Sequence, residues 1–358
     1  MEQIKQQLRP MVAPLIDWYQ QNKVLLPWRE GRDPYRIWIS EIMLQQTRIE
    51  AVIPYYHRFL AEIPDVETLA NIPDDRLMKL WEGLGYYSRA RNLKRAAQTI
   101  MSEYDGTIPT EAPALRKLTG IGDYTAGAIA SIAFGKPEPA VDGNVLRVGM
   151  RLLGRYDDIA LPATKKLMTE WLRTVYPEGE AAGNLTEGIM ELGERICIPN
   201  GEPLCGNCPL ACFCEAKKQN LTDILPVKSP KKARKEEYYT ILLFYSSKGF
   251  ALQKRPKSGL LAGLWEYPSM VGYQEEQQVR LFAEALGLSP TNIFPCGKAS
   301  HIFTHVTWNM QGYLIECKNT IADFTWKPAE LVSKEYAIPT AFRFYQKITE
   351  KATKSLLS

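Results

Sequence analysis

The sequence predicts two units: a mainly α-helical one running to about residue 220 and a smaller, mixed α+β one after it. Three observations lead there. Apolar residues recur at helical spacing through the first two-thirds, with no convincing strand pattern between them. The stretch Lys228-Ser229-Pro230-Lys231-Lys232-Ala233-Arg234-Lys235 is basic and contains proline, which suits a linker. Beyond it come β-rich runs, the first at 238–245. A length of 358 residues accommodates two or three domains. A composition of 45% hydrophobic and 23% charged residues excludes disordered and fibrous classes.

The longest nearly continuous apolar stretch, 126–134, is too short to span a bilayer. The first six residues carry an acid and lack the apolar centre of a signal peptide. The expectation is therefore a soluble, cytoplasmic protein with no membrane partner. A net charge of +4 permits a polyanionic partner without requiring one.

The helices can be placed in order. Asp33 is expected as an N-cap with Pro34 at the first helical position, opening a helix to Leu44. Thr47-Arg48-Ile49-Glu50 fits a capping box for the next helix. Further helical periods lie at 75–81, 88–101, 114–118, 124–134, 144–153 and 164–175, separated by turn signals at Gly83-Leu84-Gly85 and Gly120-Ile121-Gly122. In the second unit, one helical window near 277–286 interrupts strand-like segments that resume at 306–310 and 313–315.

Five of the seven cysteines fall between Cys197 and Cys214, which points to metal rather than to a disulfide scaffold. Cys197, Cys205, Cys208 and Cys214 are spaced C-x7-C-x2-C-x5-C and could hold tetrahedral zinc or an iron–sulfur cluster. A single CxxC knuckle in so short a loop suits a [4Fe-4S] cluster better. Cys212 sits between two of these cysteines and could replace one. Cys296 and Cys317 read as ordinary thiols.

Two acids stand out. Glu41 is the only acid in the apolar run 37–44, where burial would raise its pKa and let it keep a proton near neutrality. Asp142 precedes Gly143-Asn144 and can cap the helix that follows, whose amides would favour its ionised form. Taken singly, Glu41 reads as a solvated helix position and Asp142 as a simple cap. Leu118-Thr119-Gly120-Ile121-Gly122-Asp123-Tyr124 has the form helix, tight turn, helix. Gly120 and Gly122 let the backbone aim amides at a phosphate, although acidic Asp123 opposes that contact.

In combination, this hairpin, Val141-Asp142-Gly143-Asn144-Val145 and the cysteine loop resemble the helix-hairpin-helix DNA glycosylases of the endonuclease III superfamily. Leu26-Pro27-Trp28-Arg29, Ser40-Glu41-Ile42-Met43-Leu44-Gln45-Gln46-Thr47 and Gly83-Leu84-Gly85-Tyr86-Tyr87-Ser88-Arg89 narrow the resemblance to the MutY family of adenine glycosylases. Leu260-Leu261-Ala262-Gly263-Leu264-Trp265-Glu266-Tyr267-Pro268 extends it into the second unit.

The resemblance implies a six-helix barrel carrying the hairpin at 28–136 and a [4Fe-4S] domain from 1–27 and 137–221. It implies a linker at 222–236 and a Nudix-like domain at 237–358 that recognises 8-oxoguanine. The implied partner is double-stranded DNA with an A:8-oxoG or A:G mismatch, and the implied reaction removes the adenine. Glu41 is implied as general acid and then water activator, Asp142 as partner of the cationic sugar, a division of labour that two carboxylates in different protonation states can support.

Bifunctional relatives that also cut the strand place a Schiff-base lysine where this chain has Tyr124. A phenol cannot do that chemistry, so a monofunctional enzyme is expected, with Tyr124 assisting near Asp142. Removing a stacked base requires flipping it out. The family assigns Gln46 and Tyr86 to wedging the duplex, and Trp28, Arg29 and Glu187 to the adenine pocket. A Phe-Ser-His loop reads 8-oxoguanine in the family; here its counterpart is Phe303-Thr304-His305. The glutamate-rich helix that binds magnesium in Nudix hydrolases is missing around 279–287, so nucleotide hydrolysis is not expected.

Overall fold

The helical periodicity is realised in a computed structural model that describes residues 1–230 and 233–356, and the side chains of all of these except 353–356. Lys231 and Lys232 of the expected linker lie outside the described residues. The chain forms two compact units: Met1–Asn71 with Arg91–Pro230, and Ile72–Ala90 with the residues after Pro230.

The first unit opens with α1 (Glu2–Asn22), α2 (Pro34–Leu44), α3 (Ile49–Glu62) and α4 (Val66–Asn71). The chain continues through α5 (Asp74–Leu80), α6 (Ser88–Glu103), α7 (Ala112–Leu115) and α8 (Asp123–Ala128), the last running on as a π-helical turn over Ile129–Ala133. Then follow α9 (Gly143–Leu153), α10 (Pro162–Arg173), α11 (Glu180–Arg195) and α12 (Glu215–Lys218). α2 starts as expected: Asp33 accepts from the Arg36 amide at 2.8 Å and Pro34 follows it. The capping box at Thr47 does not form. Arg48 is the N-cap of α3 without a side-chain cap, and the Thr47 hydroxyl donates back to the Gln45 carbonyl at 3.4 Å. Apolar faces of α1, α9, α10 and α11 close one core through Leu8, Leu15, Val148, Met168, Leu185 and Leu192.

The second unit is built on a mixed sheet of β1 (Lys235–Ser246), β2 (Gly249–Lys254), β3 (Trp265–Glu266), β4 (Ser269–Val271), β5 (Pro290–Ile302), β6 (Val306–Cys317) and β7 (Thr325–Lys327), with strand order β3-β2-β1-β6-β5. β4 pairs with β1 and β7 with β2. β1 and β6 run parallel at its centre. The two segments expected at 306–310 and 313–315 are one strand. Alternation along β1 sends Ile241 and Leu243 to one face, and Leu242 and Phe244 to the other. α13 (Glu276–Ala285) covers the second of these faces; α14 (Ala329–Glu335) and α15 (Arg343–Leu356) cover the first. Burial on both faces explains why this strand reads as a continuous apolar run.

Candidate active site

Glu41 lies on α2 with 6% of its surface exposed, among Trp38, Ile42 and Met43. The Tyr124 hydroxyl, from α8, donates to its Oε2 at 2.7 Å. Burial pushes the Glu41 carboxyl up to about 7; the Tyr124 bond opposes this shift, and the Glu187 and Asp142 charges add to it. Burial, with the Glu41 and Asp142 charges, holds the Tyr124 phenol well above its ordinary value, so it stays protonated. Sequence reasoning associated Tyr124 with Asp142; its hydrogen bond is to Glu41.

Asp142 is the N-cap of α9, accepting from the Val145 amide at 2.8 Å and from Asn144 Nδ2 at 3.1 Å. From the sequence, the helix amides favour its ionised form. They do pull its pKa down, with Arg147 helping, but burial outweighs them and the net shift is upward. The cap was legible in the sequence and the desolvation was not.

The candidate base pocket is an ionic lattice. Trp28 and Arg29 sit on a 3-10 turn, Pro27–Arg29. Trp28 is buried and packs edge-on to Tyr56. Arg29 Nε donates to Glu187 Oε1 at 3.1 Å, and its Nη1 donates to Glu191 Oε2 at 2.6 Å. Tyr19 of α1 donates to Glu187 Oε2 at 2.9 Å. Glu191 is nearly fully buried and also accepts from the Val24 amide at 3.0 Å and from Arg195 at 2.7 Å. Sequence reasoning found Arg29 and Glu187 and missed Tyr19 and Glu191. Its available signal was Glu187, Glu191 and Arg195 at i, i+4 and i+8 of one helix.

In the hairpin, Gly120 adopts φ +82°, and a Cβ there would meet Asn92 Cβ at 2.6 Å, so glycine is required. Gly122 does not need its freedom: its φ is −90° and a side chain would enter open space. Asp123 pairs with Arg116 at 3.7 Å. Gln46 and Tyr86 are both exposed non-glycine residues at positive φ, 59° and 46°. Such strain is held where the surrounding structure enforces it and concentrates at functional positions. Within the second unit, the Tyr86 hydroxyl shares a 2.8 Å hydrogen bond with Thr304 Oγ1. Phe303, Thr304 and His305 form the turn between β5 and β6, closed by the Phe303 amide on the Val306 carbonyl at 2.8 Å. Phe303 packs on Trp308 and His301, while Thr304 and His305 are exposed.

Cys197, Cys205, Cys208 and Cys214 line one cavity with Arg151. Cys212 is exposed and outside that lining. Among the described residues, no three His, Cys, Asp or Glu side chains form a group that could hold a single metal ion. Four thiols lining one cavity are a donor set that suits a thiolate-ligated metal group. The surroundings fit an anionic group: Arg151 is buried with partners Cys197 Sγ at 3.3 Å and the Ile198 and Leu225 carbonyls, none of them a carboxylate. Arg147, also buried, donates to the Cys197 carbonyl, the Gly193 carbonyl and Asn144 Oδ1, each at 2.7 Å. Asn144 in turn holds Asp142, so hydrogen bonds run without a break from a cysteine ligand candidate to the capping carboxylate.

Residues 39–175 match the HhH-GPD superfamily of base excision DNA repair proteins, and residues 239–347 match the NUDIX domain family. The adenine DNA glycosylase of Homo sapiens is 32% identical over 404 residues, covering 93% of this chain and 73% of that protein. That of Rattus norvegicus is 32% identical over 402 residues, covering 93% and 77%. That of Buchnera aphidicola subsp. Baizongia pistaciae is 34% identical over 262 residues, covering 72% and 73%. Among solved structures, a thermostable thymine-DNA glycosylase superposes with TM-score 0.53 at 29% identity, covering 60% of this chain and 98% of that one. A trapped endonuclease III–DNA covalent intermediate gives 0.51 at 26%, covering 61% and 98%. Fold and matched residues define a base excision DNA repair protein of the HhH-GPD superfamily with a Nudix-like second unit. Within that superfamily, the chain belongs to the adenine DNA glycosylases.

Proposed function

We propose that the chain hydrolyses the N-glycosidic bond of adenine mispaired with 8-oxoguanine or guanine in double-stranded DNA, as a monofunctional glycosylase that initiates base excision repair. The observation that carries this reading is Glu41: a carboxyl buried in an apolar helix, poised near neutrality, and bonded to a phenol where a lyase needs an amine. Glu41 gives its proton to a ring nitrogen of the flipped adenine, so the leaving base departs neutral. The C–N bond breaks toward an oxocarbenium-like sugar, which the Asp142 carboxylate stabilises electrostatically. The Glu41 carboxylate then takes a proton from water as the oxygen adds to the sugar carbon, returning to its starting state. Tyr124 orients Glu41 throughout.

In this reading, Trp28, Arg29 and Glu187 receive the adenine, and Gly120 and Gly122 approach the DNA backbone. Gln46 and Tyr86 wedge the duplex, while Phe303, Thr304 and His305 face the oxidised partner base. Residues 28–136 act as the barrel, 1–27 and 137–221 as the cluster domain, 222–236 as linker and 237–358 as the recognition domain. Cys197, Cys205, Cys208 and Cys214 would hold a [4Fe-4S] cluster, which when bound cross-links the loop after α11 and supplies structure. The test is incubation of the protein with a duplex carrying A:8-oxoG, followed by alkali. Strand scission at the adenine and no borohydride-trapped adduct are expected. Intact strands from folded, iron-loaded protein would refute the proposal.

A further inference from the structure

We infer that Tyr19, on the N-terminal helix, is a positioning residue that sets which base the pocket accepts. The inference rests on Glu187 reading adenine, as proposed above, and extends that reading to a residue 168 positions away in the chain. Glu187 has a fixed donor on each carboxylate oxygen: Tyr19 on Oε2 at 2.9 Å and Arg29 Nε on Oε1 at 3.1 Å. A carboxylate oxygen offers two lone pairs, so each keeps one free. With both oxygens committed as acceptors, what Glu187 offers a base is further acceptance. Adenine's exocyclic amine is a donor and satisfies it; a base with a carbonyl there presents acceptor to acceptor.

The frame around Tyr19 has little freedom. The ring is 1% exposed, with the Arg29 guanidinium carbon 5.4 Å from its centroid. Glu191 fixes Arg29 from the other side at 2.6 Å, and is itself held by the Val24 amide and Arg195. Among the described residues, the Tyr19 hydroxyl is what connects this frame to Glu187 Oε2. Burial and the Glu187 charge keep that phenol protonated far above neutrality, so it serves as a donor over the working pH range. The α1 helix therefore contributes directly to base selection, although no charged residue of α1 takes part.

Tyr19→Phe removes the hydroxyl while keeping the ring, its packing and its contact with Arg29. Single-turnover release is measured for duplexes carrying adenine or unsubstituted purine, which lacks the 6-amino group, opposite 8-oxoguanine. Loss of one hydrogen bond to a charged group should slow adenine about tenfold and purine less than about twofold, so the adenine-to-purine ratio falls. In a Glu187→Gln background the further Tyr19→Phe change should have little effect, because the hydroxyl acts through that carboxylate. Equal slowing of both bases, or an unchanged ratio, overturns the inference. If Tyr19→Phe does not fold, 3-fluorotyrosine at position 19 keeps the shape with a stronger donor; the ratio should then rise, and a fixed ratio overturns the inference. Wild-type protein releasing no adenine would instead defeat the glycosylase reading itself.

Discussion

Tyr124 and Glu41 stand 83 residues apart and share a 2.7 Å hydrogen bond in which the phenol donates. That bond favours the Glu41 anion and so partly offsets the burial that raises its pKa. Adenine release should therefore fall as pH rises through about 7, because the acid form of Glu41 is lost. Tyr124→Phe removes the opposing bond, so the alkaline limb should move to higher pH. Single-turnover rates from about pH 5 to about pH 9 decide it; a limb that stays in place would show that the phenol does not tune the acid.

The same shift has a consequence for stability. Glu41 titrates at about 7 in the folded protein against an ordinary value of 4.5. Between those values the folded state binds more proton than the unfolded state, so stability falls as pH rises across the window, by about 3 kcal/mol in all. Glu41→Gln removes this dependence. The variant should lose adenine release and keep mismatch affinity. Its stability advantage over wild type should grow from about pH 5 to about pH 8, read by urea unfolding. An advantage that does not change with pH would place the carboxyl in contact with water.

What the sequence revealed follows physical rules that work locally. Asp33 and Asp142 were legible as caps because the capping residue and its amide are neighbours in the chain. Glu41 was legible as a lone acid in an apolar run. Arg147 and Arg151 carry the same mark, two cations on a helix whose other residues from Val145 to Leu153 are apolar or glycine. Tyr19 was hidden because its role comes from the meeting of α1, the Pro27–Arg29 turn and α11 in space. The positive φ of Gln46 and Tyr86 carries no sequence mark, since neither is glycine or asparagine.

Arg147 links the cysteine loop to Asn144 and so to Asp142. Arg147→Gln cannot span all three acceptors and leaves buried carbonyls unpaired. Release of adenine should slow at least about tenfold, and iron should be lost faster to a chelator. The two losses should appear together, followed as single-turnover rate and as visible absorption per protein. Iron loss with an unchanged rate would confine Arg147 to the loop.

Thr304 carries the hydroxyl that meets Tyr86, so the methyl group that distinguishes it from serine should matter less than the hydrogen bond. Thr304→Ser should leave the preference for A:8-oxoG over A:G within about twofold, since the hydroxyl remains. Thr304→Val keeps the shape and deletes the partner of the Tyr86 phenol, a loss of about 1 kcal/mol where both groups are exposed. The preference should then fall roughly fivefold, through slower processing of the oxidised pair and little change with plain guanine. Competition between the two duplexes in one tube measures the ratio directly. A serine variant that loses the preference while the valine variant keeps it would mean that the methyl contact carries the discrimination and that the bond to Tyr86 does not.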